Sequence, residues 1–509
     1  MSTTADVIVV GAGHNGLTCA AYLAEARLEV LVLEAREFVG GNTATEELTL
    51  PGWRHDSCSS AHVVIQSNPL IARDELLLLE RYGLGYIVSD PAVVFPSTGE
   101  ESLVFHPDLV RTHERVARYS LADADALISM IDEWESGLRV THAYVQSGLT
   151  PPDGEWSERY EALRQRSARD VIEETFTHPV VRRAVTWLAF ATIQSPLRAG
   201  TGVLPASIVA GRLRFGWTTP KGGSQSLPDA LVAHLRDHGG SVLVDAPVVR
   251  YVREGDRCVG VRTADGREFR ARRAVVAGSH LRELADQVAD PTEDLLHARE
   301  IWRPGLSVFA VHFALREHPT YLIDGEWRPA VGAGLGSPEG LFAQVTAAER
   351  GEVDLTSPWL LMVNSTVVDP DRAPGAVFKF LTVAPERFEG RPWRDADADA
   401  YASRLVEFAR PHLRGLEESN ILCRVTESPT SLAERNPANL GGSCHGGQFE
   451  ESGQVFPGWR SPRTGIEGLY LTGSTSHPGG SVSGRPGRNA ARAVLDDLGL
   501  GADTVMARP

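Results

Sequence analysis

The chain has 509 residues, of which 42% are hydrophobic and 23% charged, and its net charge is −16. This length allows roughly two to four domains with a large core, and the composition is ordinary for a globular protein. The acidic balance disfavours nucleic acid or an anionic membrane surface as the main partner, because both select for basic patches.

The five cysteines are widely spaced and include no C-x-x-C pair. Neither a disulfide framework nor a dithiol redox pair is therefore indicated, and we expect reduced thiols. The N-terminus enters an apolar strand pattern within six residues, which leaves no room for a signal peptide, and no run of 18 apolar residues occurs. These features predict a cytoplasmic protein without a transmembrane segment, while peripheral membrane contact stays open.

A glycine-rich turn near the N-terminus is the clearest functional signal. Residues 6–10 form an apolar, β-branched run, and Gly11, Gly13 and Gly16 follow it in the order G-x-G-x-x-G. This pattern predicts a strand that turns sharply into a helix. Gly11 allows the tight turn, Gly13 lets the backbone approach a pyrophosphate, and Gly16 lets helix and strand pack closely. The N–H groups at the start of the helix would then face the phosphates.

The next predicted strand, residues 29–34, ends in an acid. Glu34 lies where the ribose hydroxyl pair of a dinucleotide would be, and its negative charge argues against a 2′-phosphate despite Arg36 nearby. Gly40 and Gly41 follow at a distance that would let a second backbone segment approach the same pyrophosphate, although a plain turn is the alternative. Together these features predict a βαβ dinucleotide-binding unit.

The middle of the chain changes to helical periodicity. Between about residues 74 and 216 apolar residues recur at helical spacing, and the stretch from Trp187 to Trp217 is rich in large apolar groups. Most of these side chains are expected in a core, but a helical insert of this kind is also where an apolar substrate pocket would form.

Strand candidates follow at residues 306–315, 359–363 and 377–383. The glycines of residues 331–337 have nucleotide-like spacing, but prolines stand on both sides of them. We expect no strand–turn–helix there and therefore no second dinucleotide site.

The C-terminal residues 468–491 read GLYLTGSTSHPGGSVSGRPGRNAA. Residues 469–471 predict a short buried strand, a glycine-rich loop follows, and a helix is expected to begin near Pro486, since the fixed φ of proline suits a first turn. The start of this helix would again face an electron-rich group.

The combination of GAGHNGL, Glu34 with Gly40 and Gly41, PKGG and this C-terminal segment resembles the phytoene desaturase-like FAD oxidoreductases, in particular the bacterial relatives of the pyridine nucleotide-disulfide oxidoreductase domain-containing proteins. The resemblance covers most of the chain and is weakest in the helical insert. It implies an α/β fold with a discontinuous, Rossmann-like, three-layer ββα FAD-binding domain and a mixed α+β substrate domain that carries the insert. The expected boundaries are 1–73, 217–290 and 440–500 for the FAD-binding domain, 74–216 and 291–439 for the substrate or cap domain, and 501–509 for a tail.

The resemblance also implies which residues contact FAD. Those expected around the pyrophosphate are Gly11, Gly13, His14, Asn15, Gly16, Gly40, Gly41 and Asn42. Glu34 would meet the adenosine ribose, Arg36 the adenine edge, and Val248 the adenine through its backbone. The residues expected along the ribityl chain and isoalloxazine are Gly473, Ser474, Gly480, Ser481 and Val482. A helix N-terminus there would stabilise the negative charge that hydride transfer to flavin N5 leaves near N1.

Three side chains are candidates for catalysis. His445 and His477 lie in glycine-rich segments of the type that line a flavin, where a histidine could accept a substrate proton; a backbone-bonded loop histidine is the alternative for each. Lys379, in a predicted strand, resembles the lysine that holds a water over the flavin in amine oxidases, although a solvated lysine is the ordinary alternative. Cys58 and Cys444 could form a covalent flavin bond or be small buried hydrophobes. No metal site is predicted.

These observations favour an FAD-dependent dehydrogenase, desaturase or oxidase acting on an apolar or cyclic small molecule by hydride transfer to flavin N5. Oxygen, a quinone or another acceptor would reoxidise the flavin, or the electrons would return to the substrate in an isomerisation. One alternative is an amine or amino-acid oxidase on the same fold. Another is a non-catalytic lipid-binding protein of the GDP-dissociation-inhibitor type, against which the intact glycines and Glu34 argue. Sequence alone leaves the oligomeric state open.

Overall fold

The structure, a computed structural model, describes residues 3–98, 101–451 and 454–506. Its first sheet has seven strands drawn from three distant parts of the chain. Strand Thr4–Val10 pairs in parallel with Val30–Leu33 on one side and with Glu268–Ala277 on the other. The remaining strands are Ser241–Leu243 beside Val30–Leu33, Leu469–Leu471 beside Glu268–Ala277, and the antiparallel pair Arg257–Thr263 and Val248–Glu254. The expected α/β architecture is confirmed, and the exact domain boundaries stay a prediction.

Side chains of the central strand alternate between two cores, as the two-residue period of a strand requires. Val7 and Val9 pack into a core shared with three helices, whose bounds are His14–Glu25, Ser226–Asp237 and Arg485–Asp497. Ile8 and Val10 pack on the opposite face, where the core continues into the antiparallel strands and the helices Leu281–Gln287 and Glu293–Ile301. Because both faces are covered, the central strands read as unbroken apolar runs.

A second seven-stranded sheet forms the other half of the molecule. Its strands, in spatial order, are Ile421–Glu427, Ser307–Leu315, Ala376–Ala384, Leu360–Asn364, Gly332–Leu335, Val93–Phe95 and Leu103–Phe105. Three of them match the strand candidates of the sequence within one residue at each end. Phe309 and Phe313 face a core closed by helix Asp395–Ala409, while Val308 and Val363 face the helical insert.

The glycine-rich stretch 331–337 corrects one expectation. It forms strand Gly332–Leu335, and helix Pro338–Glu349 follows it, so the prediction that no strand–turn–helix surrounds these glycines is wrong. The glycines serve packing: a Cβ would lie 2.0 Å from the Trp217 ring at Gly332 and 2.3 Å from the Trp187 ring at Gly334. These two positions are glycine because indole rings occupy the space of a side chain, and not because a nucleotide binds there.

The insert between the sheets is helical, as its periodicity predicts. Its helices are Leu109–Ala117, Leu121–Glu133, Arg139–Gln146, Glu155–Arg164, Ala168–Thr175, Pro179–Ala189 and Leu204–Phe215, with a π-turn at Trp134–Leu138. The short helix Pro69–Ala72 before the insert packs in the core of the first sheet. Buried Asp123 ties the insert together, because its carboxylate accepts hydrogen bonds from the backbone N–H groups of Thr177 and His178.

The remaining elements are short. They are helix Pro429–Arg435, the strand pairs Thr45–Glu46 with His55–Asp56, Tyr86–Ser89 with Trp217–Pro220, and Tyr321–Ile323 with Glu326–Arg328, and the three strands Trp302–Arg303, Gln448–Glu451 and Gln454–Phe456. None of the described helices combines the length and apolar character needed to cross a bilayer.

Candidate functional site

The three glycines of the first turn have the geometry that their spacing predicts. Gly11 has φ of +92°, a conformation that side chains disfavour. A Cβ on Gly16 would lie 2.1 Å from the Gly11 carbonyl oxygen, so helix and turn can approach only because it is absent. Gly13 has φ of −68°, and no atom lies within 4 Å of where its Cβ would be. Gly13 therefore leaves open space at the position where another residue would place its Cβ.

The helix that starts at His14 has an uncapped N-terminus. Gly13 occupies the cap position, no side chain accepts a hydrogen bond from the first turn, and that turn carries no acidic residue. The first N–H to find an intrahelical partner is that of Leu17, which donates to the Gly13 carbonyl at 2.9 Å. Unpaired N–H groups and the positive end of the helix dipole together form an anion-binding site.

Glu34 follows strand Val30–Leu33 and is only 7% exposed. Its two carboxylate oxygens accept hydrogen bonds from the backbone N–H groups of Ala12, at 2.6 Å, and Arg36, at 2.9 Å. These bonds aim the carboxylate at the glycine turn, with lone pairs left for hydroxyl donors.

Residues 40–42 form the opposite side of the turn. The Gly40 N–H donates to the Ala12 carbonyl, and a Cβ on Gly41 would lie 3.1 Å from the Gly13 Cα. Gly41 and Asn42 line the cavity described below, whereas Gly40 supports the turn from behind and is not among the described lining residues. The two backbones are therefore in contact, as a shared pyrophosphate site requires, and the contact of Gly40 and Gly41 with the cofactor stays a prediction.

The two ends of the chain converge at this site. His14 Nε2 lies 3.1 Å from the Ser481 carbonyl oxygen, a contact across 467 residues. A Cβ on Gly487, in the first turn of helix Arg485–Asp497, would lie 2.1 Å from the Asn15 carbonyl, so the two helix N-termini pack directly together. The C-terminal glycine loop thus lies beside the N-terminal turn, as predicted.

One cavity of about 930 Å³ joins these features to the helical insert. We name its two parts the dinucleotide end and the insert end. Lining residues of the dinucleotide end are Gly11, Gly13, His14, Asn15, Gly16, Glu34, Arg36, Gly41, Asn42, Val248, Gly473, Ser474, Gly480, Ser481 and Val482. Large side chains of the insert end are Trp134, Trp187, Ile193, Leu204, Ile208, Phe215 and Trp217, with Leu361 and Leu381 from the second sheet.

Arg212, on helix Leu204–Phe215, is a cation in the apolar insert end that sequence reasoning missed. It is 7% exposed, its guanidinium lies 4.3 Å from the Trp217 ring centroid, and its Nε has no hydrogen-bond partner among the described residues. Its one hydrogen bond goes from Nη1 to the Gly216 carbonyl at 3.5 Å. Burial lowers the pKa of Arg212 to about 10, so it stays charged at neutral pH. A buried guanidinium that faces a cavity without a carboxylate partner is suited to an anionic ligand.

The family described as flavin containing amine oxidoreductase matches residues 16–338. The chain belongs to this family. Pyridine nucleotide-disulfide oxidoreductase domain-containing protein 2 of Mus musculus is 25% identical over 97% of this chain and 94% of its own length. The lycopene-forming phytoene desaturase of Paracoccus sp. (strain N81106 / MBIC 01143) is 24% identical over 96% of this chain and 97% of its own.

A solved structure of a putrescine oxidase triple mutant superposes with a TM-score of 0.65 at 17% identity, over 98% of this chain and 99% of that one. This likeness shows the fold. With the family and the desaturase relative, the predicted recognition is confirmed: the protein is a phytoene desaturase-like, FAD-dependent oxidoreductase.

The residues of the dinucleotide end fit the FAD of this flavoenzyme. Gly13 leaves room for a phosphate, the uncapped helix offers N–H donors, and the buried Asn15 Oδ1 has no partner among the described residues. Glu34 presents acceptors for the ribose. The residue-by-residue contacts expected from the resemblance remain predictions.

The two catalytic histidines predicted by sequence have different positions. His445 lines the cavity, and burial lowers its pKa to about 4, so it is neutral at pH 7 and can accept a proton. The His477 ring instead donates from Nε2 to the Val145 carbonyl at 2.6 Å, and His477 is not among the described lining residues. His477 fits the alternative of a backbone-bonded histidine, since its ring is used to anchor the insert.

Lys379 lines the cavity but is committed elsewhere. Its Nζ donates to the carbonyl oxygens of Asp56, Ser57 and Cys58 at 3.2, 3.3 and 2.5 Å. The ammonium has three N–H donors, so these bonds leave none for a water over the flavin. The side chain is 4% exposed and burial lowers its pKa. Lys379 is therefore neither a solvated lysine nor suited to the amine-oxidase role.

The structure brings two of the free cysteines together. Cys58 and Cys444 both line the cavity, and a hydrogen bond between their thiols is the largest influence on the pKa of each. The sequence did not reveal this pair, because the spacing rules for dithiols apply only to cysteines that are close in the chain.

Proposed function

We propose that this flavoenzyme desaturates or otherwise oxidises a mainly apolar small molecule, with hydride passing from a substrate carbon to flavin N5. The main support for this proposal is that one cavity joins the glycine turn to the aromatic insert end. Its volume of about 930 Å³ is at the upper end of what ligand pockets have, enough for a cofactor and a substrate in series. The desaturase among the relatives supports the same reaction class.

The insert end gives the substrate a largely apolar environment with a buried cation, Arg212. Trp187, Phe215 and Trp217 line the cavity together with Arg212, whose guanidinium lies over the Trp217 ring. An apolar substrate with a carboxylate would place that group on the guanidinium, which offers unpaired donors at low dielectric. The insert end therefore favours an amphiphilic carboxylate over a hydrocarbon without a polar group.

His445 supplies the proton acceptor of the proposal. Dehydrogenation removes a hydride and a proton from adjacent atoms, and a neutral imidazole on the cavity wall can hold the proton. Positive charge from the N-terminus of helix Arg485–Asp497, and from Arg485 in its first turn, would stabilise negative charge on the reduced cofactor.

An amine oxidase is the second candidate, because the family name and the putrescine oxidase fold both favour it. The commitment of all three Lys379 N–H donors to backbone carbonyls weighs against it. Peroxide and ammonia released from an amine panel, and lost in Lys379→Met, would support the amine oxidase and overturn the desaturase proposal.

The test is anaerobic bleaching of the bound flavin. Purified protein is mixed with a panel of apolar carboxylates, matched alcohols, hydrocarbons and amines, and the absorbance of oxidised flavin is followed. We expect bleaching with apolar carboxylates. If only amines bleach the flavin, or if denaturation releases no flavin, the proposal fails. Product released anaerobically without lasting bleaching would instead establish a redox-neutral isomerisation, and adding oxygen or a quinone to bleached protein identifies the acceptor.

A further inference from the structure

Two cysteines from opposite parts of the chain meet on the cavity wall. Cys58 follows strand His55–Asp56, and Cys444 lies in the glycine-rich segment 441–447. Both side chains are half-buried and line the cavity. A hydrogen bond between the two thiols is the largest influence on the pKa of each, and Cys444 Sγ also lies 3.7 Å from His445 Nδ1. The two cysteines lie beside residues expected to hold FAD, because a Cβ on Gly480 would lie 2.4 Å from the carbonyl oxygen of His445, the residue after Cys444.

Both backbones are fixed by side chains of other elements. Lys379 Nζ donates to the Cys58 carbonyl at 2.5 Å, and Asn42 Nδ2 donates to the Cys444 carbonyl at 3.2 Å. Lys379 is on a strand of the second sheet, whereas Asn42 belongs to the dinucleotide end. The pair is therefore held from both halves of the molecule, and its closeness is built into the fold.

The environment makes the two thiols unequal. The hydrogen bond from Cys444 lowers the pKa of Cys58 to about 7, burial opposes this, and the charges of Lys379 and Arg435 assist it against Glu427. The same hydrogen bond and burial raise the pKa of Cys444 well above its ordinary value. Near neutral pH roughly half of Cys58 is therefore thiolate beside a protonated Cys444, the arrangement of redox-active dithiols.

We propose that Cys58 and Cys444 form a dithiol site that hydroperoxides oxidise to a disulfide bond. The Cys58 thiolate attacks one peroxide oxygen, the O–O bond breaks, and the leaving oxygen takes a proton as water or alcohol, which leaves a sulfenic acid on Cys58. The Cys444 sulfur then attacks the Cys58 sulfur, the S–S bond forms, the S–O bond breaks, and its oxygen leaves as water with the Cys444 proton. Two thiols lose two electrons and one peroxide gains them.

This inference rests on the cavity and not on the substrate of the proposed function. The disulfide would link the loop after residue 56 to the segment 441–447 across the cavity wall beside Lys379 and His445. Oxidation would also remove the thiolate charge that faces Lys379. A peroxide-forming oxidase would thereby carry its own peroxide-sensitive site.

The experiment treats the holoprotein with a small excess of hydrogen peroxide, or in a parallel arm with cumene hydroperoxide, and measures intact mass and tryptic peptides. We expect a loss of two hydrogen atoms, reversed by dithiothreitol, and a cross-link between peptides 55–73 and 436–460, each of which holds one cysteine. Cys58→Ser and Cys444→Ser should each abolish the cross-link. In Cys444→Ser, dimedone should trap a sulfenic acid on Cys58.

Cys423→Ser is the matched control, because Cys423 is also half-buried but its thiol donates to the Thr49 carbonyl. It should retain the cross-link in full. With iodoacetamide at pH 7, Cys58 should react about tenfold faster than Cys423, because the lowered pKa of Cys58 makes a large fraction of it thiolate. Oxidation of Cys58 to sulfinic acid without a cross-link in the unmodified chain, or equal alkylation rates, would overturn the proposal. Flavin content of each variant checks that it is folded.

Discussion

The two ends of the cavity are built in different ways. The dinucleotide end is made largely of backbone: glycines at 11, 13, 16 and 41, an uncapped helix and a single buried carboxylate, Glu34. The insert end is made of side chains from several distant segments, with indoles around one buried guanidinium. Backbone groups are the same in every residue and can bind the part that dinucleotides share, whereas side chains can be exchanged to accept another substrate. Cofactor binding therefore depends mainly on backbone geometry, whereas substrate binding depends on which side chains pack around the cavity.

The largest expected difference between the two ends is the effect on FAD affinity of adding one methyl group to each. Gly13→Ala adds a Cβ with no atom within 4 Å and at φ of −68°, so stability should change by less than about 0.5 kcal/mol. The methyl enters the space assigned to the pyrophosphate, and FAD affinity should fall about 100-fold, or ~2.7 kcal/mol. Flavin fluorescence titration of the apoprotein measures it.

Gly211→Ala is the matched control, because its Cβ also meets no atom within 4 Å but lines the insert end. It should keep FAD affinity unchanged. Equal losses from both substitutions would show that the two ends are not separate sites.

Removing the charge of the insert end should have the next largest effect. Arg212→Met keeps the apolar stem but loses a charge-assisted hydrogen bond of roughly 1.5–3 kcal/mol, so binding of an apolar carboxylate such as decanoate should weaken about 30-fold. Binding of decanol should stay within about twofold. Perturbation of the flavin spectrum reports both ligands.

The control for this prediction is Arg214→Met, since Arg214 also lines the cavity but pairs with Glu135 at 2.6 Å. Arg214→Met should leave the ratio of decanoate to decanol affinity unchanged. If Arg212→Met weakens both ligands equally, the guanidinium packs the wall and does not recognise an anion.

At the dinucleotide end, Glu34→Gln should reduce FAD affinity about tenfold. The carboxylate accepts hydrogen bonds from the backbone N–H groups of Ala12 and Arg36. The amide keeps the shape, but its NH₂ group would face one of these two donors, and that hydrogen bond would be lost. Exposed Glu37→Gln is the control and should change nothing. Isothermal titration with FAD distinguishes them, and an unchanged affinity in Glu34→Gln would remove Glu34 from the cofactor site.

The smallest expected effect is that of pH on flavin bleaching. Burial lowers the pKa of His445 to about 4, so His445 is unprotonated throughout pH 6–8 and loses its capacity to accept a proton only as pH falls below about 5. The bleaching rate should therefore vary less than about twofold between pH 6 and 8. A rate that rises through pH 7 would instead assign the proton to Cys58, whose pKa is about 7.

The dinucleotide end was predictable because its signal is local. Strand, turn, helix and acid follow one another within residues 4–34, and the close approach of Gly16 to the Gly11 carbonyl lies within that unit. The apolar periods also predicted three strands of the second sheet and the helical insert. Physical constraints between neighbours in sequence are visible in the sequence itself.

Only tertiary structure decided the contacts between distant residues. The His477 ring bonds to the Val145 carbonyl, and the Lys379 ammonium donates to the Cys58 carbonyl. Arg212 has no carboxylate partner among the described residues, and Cys58 lies beside Cys444. Tertiary structure also assigned Gly332 and Gly334 to tryptophan packing. Spacing along a chain cannot encode which side chains meet after long loops close, because many pairings share the same local pattern and the packing of the whole core selects among them.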